Sequence, residues 1–453
     1  MRIFNMGAAR SKKTGSHLAL AIALATGTAV VGTIGFADTA HAQKKKNDKE
    51  AKADYSEAFV EAYQPLNEQV NAEGADVASL KPQLTALIPL ATTDDDKYAA
   101  GGLIYNAGAK TNDRVLQSQG MGMMLASNKV PPENVGRFNF IAYQLANVQE
   151  DYAKARTYLQ AAIDANFTSD SVSLSDMQVA MAESYFSEES YREGLGYLKT
   201  AIEAQKSAGQ PVDEQWYRRG LTVAYNNEIQ PEVYDFTIGW VQDYPSEGNW
   251  RDAINLTRNL NEFEAPLMLD LMRLGHKAGT FSDKNDYIEY IEAADARRLP
   301  KEVYDVIQEA YGNGTVTRDD IYVADSLQIA EGRLAADRED LPALERDAKA
   351  AGADLRTVMI AGDVFLSYGE YTKAAEFYQK ALEMAGVDTS EAQTRLGIAQ
   401  AGLGQFGEAQ ATFAKVEGSR KPIAQLWAAY ADQEGGAASA AVPATEPAET
   451  VGG

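Results

Sequence analysis

The chain has 453 residues, 45% hydrophobic and 24% charged, which is too apolar for a disordered polymer and too long for one small core. Its 65 acidic against 42 basic residues leave a formal charge of −23, which repels the phosphate backbone that nucleic-acid binders meet with a basic face. No cysteine occurs, so disulfides, thiolate nucleophiles and cysteine-held zinc or iron–sulfur centres are excluded together.

Residues 1–42 have the layout of an export signal. Arg2, Arg10, Lys12 and Lys13 form a basic start, Leu18 to Ala37 is an uncharged apolar run, and Ala40-His41-Ala42 is a small-x-small cleavage site. Cleavage sets the expected mature start at Gln43, with no membrane span remaining; retention of the run as an anchor is the alternative. Loss of four basic residues and Asp38 takes the formal charge from −23 to −26. A cysteine-free, exported, acidic chain fits a bacterial periplasm, or secretion beyond it. One histidine, His276, then remains, so two-histidine metal sites and Cys/His pairs are excluded. Residues 43–52 read as a solvated lead-in.

Helical signals fill 53–350, punctuated by Gly, Pro, Asn and Asp, with almost no period-2 strand. Asp94-Asp95-Asp96 precedes a helix, where acids cap amides and favour the dipole. Ile104-Tyr105-Asn106-Ala107-Gly108 resembles a segment of lytic transglycosylases. The Glu-Ser that such enzymes need upstream occurs only downstream, as Glu183-Ser184, so the order is wrong. Met121, Met123 and Met124 are expected to pack in a core. Helix pairs follow: Phe140 and Tyr143 before Tyr152, Ala155, Leu159 and Ala162; then Ala182 and Tyr185 before Tyr191, Gly194, Leu198 and Ala201. Looser pairs open at Trp216 and Trp250. His276 lies at an expected helix end, where a cation meets free carbonyls. Asp283 and Asn285 are faintly calcium-loop-like, but Tyr287, Ile288 and Ala294 stand where ligands and the glycine turn belong. Segments 284–313 and 318–350 keep the expected helix-pair rhythm.

Residues 351–433 repeat most clearly. Gly362 to Gly397, Gly369 to Gly404 and Ala374 to Ala409 are each 35 residues apart. Small residues let two helices approach, a glycine turns the chain, and Tyr378 or Phe413 fills the space over the partner helix. These positions resemble the tetratricopeptide repeat. The resemblance implies an all-α fold, a right-handed α-α superhelical solenoid, here of roughly ten helix pairs, ending in a capping helix. Residues 434–453, rich in Ala, Gly, Pro, Glu and Thr, are expected to be a disordered tail.

The leading reading is a non-enzymatic envelope scaffold for a protein or peptide, with no cofactor and no metal. Repeat families of this kind present the first helix of each pair to a groove. Tyr217, Leu221 and Tyr225 form one apolar-aromatic stripe, and Arg251, Asn255, Arg258 and Asn259 a neighbouring basic and amide stripe, suited to an acidic peptide segment. The alternatives are a carboxylate-pair hydrolase of envelope glycan or peptidoglycan, since many acids offer such pairs, and a polysaccharide-binding repeat protein.

Overall fold

The computed structural model describes residues 53–441; the export segment, the lead-in and the tail beyond Ala441 lie outside the described residues. Within them the regular elements are helical, and the one β-bridge, Ser169 with Val172, is isolated. The all-α expectation holds. The chain divides into two compact units between Ser207 and Ala208. The division at 350/351 expected from sequence, where the repeat becomes regular, falls inside the second unit.

The first unit contains α1 (Glu57–Asn71), α2 (Lys81–Leu87), α3 (Asp94–Thr111), α4 (Arg114–Ala126), α5 (Pro132–Val148), α6 (Tyr152–Asp164), α7 (Leu174–Ser187) and α8 (Tyr191–Ser207). Thr93 and Asp96 form a capping box that starts α3. Asp96 is buried and also accepts from the Ser56 amide at 3.0 Å and hydroxyl at 2.8 Å, pinning the head of α1. Burial opposes its charge, but the bonds from Ser56, Thr93 and Thr92 outweigh it and hold the carboxyl below its usual range. The acid run does not precede the helix but forms its first turn, with Thr93 as the N-cap and Asp96 completing the box. Helices α3 and α4 cross at Gly101 and Gly120, where a Cβ on Gly101 would stand 2.6 Å from the Gly120 carbonyl oxygen. Only glycine permits this approach, so the Gly101 to Gly108 segment serves packing. Met121 and Met124 are buried in the adjoining core with Phe138 and Leu145, and Met123 packs partly buried nearby.

The second unit contains α9 (Glu214–Asn226), α10 (Glu232–Asp243), α11 (Glu247–Asn259), α12 (Ala265–Lys277), α13 (Lys284–Ala294), α14 (Pro300–Gly312), α15 (Ile321–Lys349), α16 (Leu355–Ser367), α17 (Tyr371–Leu382), α18 (Thr389–Gly402), α19 (Phe406–Phe413) and α20 (Lys421–Ala441). Helices adjacent in sequence pack on one another, the local pattern of a solenoid. The repeat contact is explicit. A Cβ on Gly362 would lie 2.6 Å from Tyr378, one on Gly397 2.5 Å from Phe413, and one on Gly220 2.4 Å from Phe236. In each case glycine and aromatic are 16 residues apart, so three helix pairs share one tetratricopeptide-like joint. Gly369 and Gly404 turn the chain at φ +70° and +74°, a region costly for other residues.

Four details refine the sequence reading. Residues 318–350 form no helix pair: α15 is one 29-residue helix, because Gly332 and Pro342 sit among strong helix formers with no turn residue beside them. Asp283 caps α13 through a box with Asp286. His276 does lie in the last turn of α12, and its ring also bridges to Glu309 of α14 at 2.7 Å and packs on Phe281 and Tyr290. Finally, α20 continues to Ala441, past Glu434, where composition had begun the tail.

Candidate functional site

The decisive feature of the second unit is the course of α20. Instead of merely capping α19, it packs against α10 and α12, with bonds that span 190 residues (Gln242 to Asp432) and 157 residues (Asp270 to Trp427), so this unit closes on itself. Trp427, 2% exposed, donates its indole N–H to the Asp270 carbonyl at 2.9 Å. Trp250 of α11 donates to Gln433 at 3.0 Å and meets Tyr430 edge to face. Burying one such indole is worth about 3–5 kcal/mol against truncation, so these rings act as the closing clasp.

Behind the clasp lies an ion network. Asp270 of α12 is fully buried; it accepts from Arg273 at 2.9 Å and from Arg420 at 2.6 Å, and faces Arg395 of α18 at 3.4 Å. Arg273 also forks onto Glu302 of α14 with two bonds of 2.7 Å. Arg395 reaches Asp363 of α16 at 2.9 Å and Glu391 at 2.7 Å. Tyr290 and Tyr378 donate to Glu302 and Asp363, both at 2.8 Å. For Asp270 and Glu302 burial raises the pKa, but the neighbouring guanidinium groups outweigh it, and both carboxyls stay below the ordinary range. A general acid needs the opposite shift, and both acids are enclosed among arginine partners that hold them ionised. Burial, joined by the facing acids, pushes the Tyr290 and Tyr378 hydroxyls up and keeps them neutral.

On another face of α20 an open groove of about 430 Å³ runs between α10, α19 and α20. Lys421, Gln425, Ala428 and Asp432 follow at i, i+4, i+7 and i+11, one face of a helix. Ile238 and Gln242 come from α10, and Gln410, Phe413, Ala414 and Val416 from α19 and the residues after it. The floor is apolar and the walls carry carboxamides. Phe413 stacks on Trp427 at 6.1 Å, so the floor rests directly on the clasp that touches Asp270. Asp432 accepts from Gln242 and Gln410, each at 3.3 Å.

The residues expected to line a groove lie on α9 and α11 and are largely engaged within the unit. Tyr217 is buried, donates to Asp243 and packs over Gly239; Leu221 is buried and Tyr225 half-buried. Arg251 donates to the Thr280 carbonyl at 2.7 Å. Arg258 pairs with Glu289 of α13 and donates to Asn255 at 2.9 Å, while Asn259 is exposed. Sequence reasoning missed Gln242, Gln410, Gln425 and Asp432, because the groove arises only where α20 returns to α10. The one available sign was the polar face of α20, which any surface helix also shows.

Neither a family model nor a curated protein sequence matches the chain. Among solved structures it is similar to the TPR2AB-domain:pHSP90-complex of yeast Sti1, at 12% identity over 68% of this chain and 99% of that one, with a TM-score of 0.21. A superposition of that quality carries no argument about function; the tetratricopeptide-like character rests on the repeated joints.

Proposed function

We propose that this protein is a non-enzymatic helical-repeat scaffold, exported to the bacterial cell envelope, that binds a protein or peptide segment. The observation that carries the reading is the groove between α10, α19 and α20, which presents an apolar floor and carboxamide walls on a rigid repeat frame. Such a lining suits a peptide chain, since a carboxamide both donates and accepts as a backbone does, and the two charged lining groups, Lys421 and Asp432, stand at its ends. The export part rests on residues 1–42, and its expected mature form begins at Gln43. No helix among the described residues is long and apolar enough to cross a membrane. Recognition along Tyr217, Leu221, Tyr225, Arg251, Asn255, Arg258 and Asn259 would require Arg251 and Arg258 to release charge-assisted internal bonds, whereas the groove holds only two long carboxamide bonds to Asp432.

The test is chemical cross-linking of the protein in its native envelope, followed by mass spectrometry of the cross-linked peptides and of the protein's N-terminus. Cross-links from Lys421 beside the groove to one defined partner, on a chain starting at Gln43, are the expected result. Turnover of peptidoglycan or glycan by the purified protein would overturn the non-enzymatic reading in favour of the hydrolase.

A further inference from the structure

The groove has a charge asymmetry that specifies its occupant beyond "a peptide". From Lys421 to Asp432 the lining face of α20 is about 16 Å long at 1.5 Å per residue, which matches about five residues of extended chain at 3.3 Å each. Its two charged ends are not equivalent. Lys421 is satisfied by Glu417 at 3.0 Å, one turn away. Asp432 has only neutral partners, the Gln242 and Gln410 amides at 3.3 Å each, and no cation pairs with it among the described residues. It is exposed, and those two long bonds are readily exchanged for a charged donor, which makes the stronger bond. The formal charge of −23 on the whole chain adds a long-range attraction for cations.

Between the ends the lining is mostly apolar. Phe413 and Val416 are buried and form the floor, and Ala414 and Ala428 add small apolar side chains to the lining. Gln242, Gln410 and Gln425 each offer a donor and an acceptor, the pattern that an extended backbone presents in return.

We propose that the groove binds an extended segment of about five small aliphatic residues carrying one Lys or Arg whose charged head meets Asp432. This rests on the scaffold reading and names a basic partner segment, at a site distinct from the α9 and α11 stripe and opposite in charge preference to the acidic segment that stripe suggested.

The test uses the purified chain and fluorescein-labelled Ala-Val-Lys-Val-Ala amide, with peptides in which Glu or norleucine replaces Lys, followed by fluorescence anisotropy. The Lys peptide is expected to bind at least tenfold tighter than the other two. Asp432→Asn should erase that preference, and Ala414→Trp, which fills the groove from an exposed position, should abolish binding with an unchanged helical melt. Equal binding of all three peptides, no binding of the Lys peptide, or retention of its binding by Ala414→Trp each overturns the groove. Binding that survives both groove variants but is lost in Arg251→Ala with Arg258→Ala overturns the groove while leaving the scaffold reading intact; that reading fails separately, if native cross-linking finds no partner.

Discussion

Replacing Asp270 by Asn tests whether the buried network holds the second unit closed. The substitution keeps shape, and it keeps the backbone carbonyl that accepts from Trp427, so the aromatic clasp is untouched and only the charge is removed. Three guanidinium groups then lose an anion at a site where Asp270 is fully buried and the arginines nearly so. Removing one partner of a buried ion pair costs about 3–5 kcal/mol. The lower end applies here because each arginine keeps another acid: Arg273 retains its fork to Glu302, Arg395 retains Asp363 and Glu391, and Arg420 retains Glu391 at 3.3 Å. About 3 kcal/mol corresponds to a fall of about 6–12 °C in the melting transition of a unit of this size. Hydrogen exchange should locate the loss in α12, α18 and the Arg420 turn. A melting shift below about 2 °C, under 1 kcal/mol on the same scale, or faster exchange spread evenly over the chain, would refute the argument that this network ties α12 to α18 and α20.

Gly397→Ala should destabilise by about 1–3 kcal/mol through overpacking, because its Cβ would lie 2.5 Å from Phe413; adding Phe413→Leu should recover part of that loss in denaturant titration. Ala374→Phe and Ala409→Phe, both at fully buried sites, should destabilise by a similar amount, about 1–3 kcal/mol, in the same assay. Because Asp270 and Glu302 are held below their unfolded pKa values, their contribution is complete above those values, about 4, and is lost as pH falls through the folded ones. Unfolding followed by circular dichroism should therefore show acid destabilisation that Asp270→Asn reduces. Burial pushes Tyr63 and Tyr143 up to about 12, with Tyr55 and Glu183 respectively adding to the shift. Both should stay neutral in the folded protein while free tyrosine ionises near 10, so stability should fall between those values in an absorbance titration at alkaline pH.

Local pattern was enough to read the helices and their joints from sequence. The 35-residue spacing of Gly362 and Gly397, with Tyr378 and Phe413 behind them, described a contact between neighbours in the chain, and such contacts follow from periodicity and side-chain size alone. The helix start beside Asp94-Asp95-Asp96 was legible for the same reason, since a cap is settled within four residues, but that Thr93 and Asp283 are the capping residues came only from the structure. The unbroken α15 was not legible, because Gly and Pro weaken a helix without stating whether the chain also turns. Nor was the groove. Arg251 and Arg258 share a face by spacing, but spacing does not say that Thr280 and Glu289 will come to meet them. Asp270, Arg395 and Arg420 look like three unremarkable surface charges in sequence. They are buried together because α20 carries Trp427 and Tyr430 back to α11 and α12, and the free energy of burying those rings belongs to the closed unit, not to any segment of it. Tertiary closure alone therefore decided which charges are enclosed, and it opened on the outer face of α20 a groove whose walls come from residues nearly two hundred positions apart.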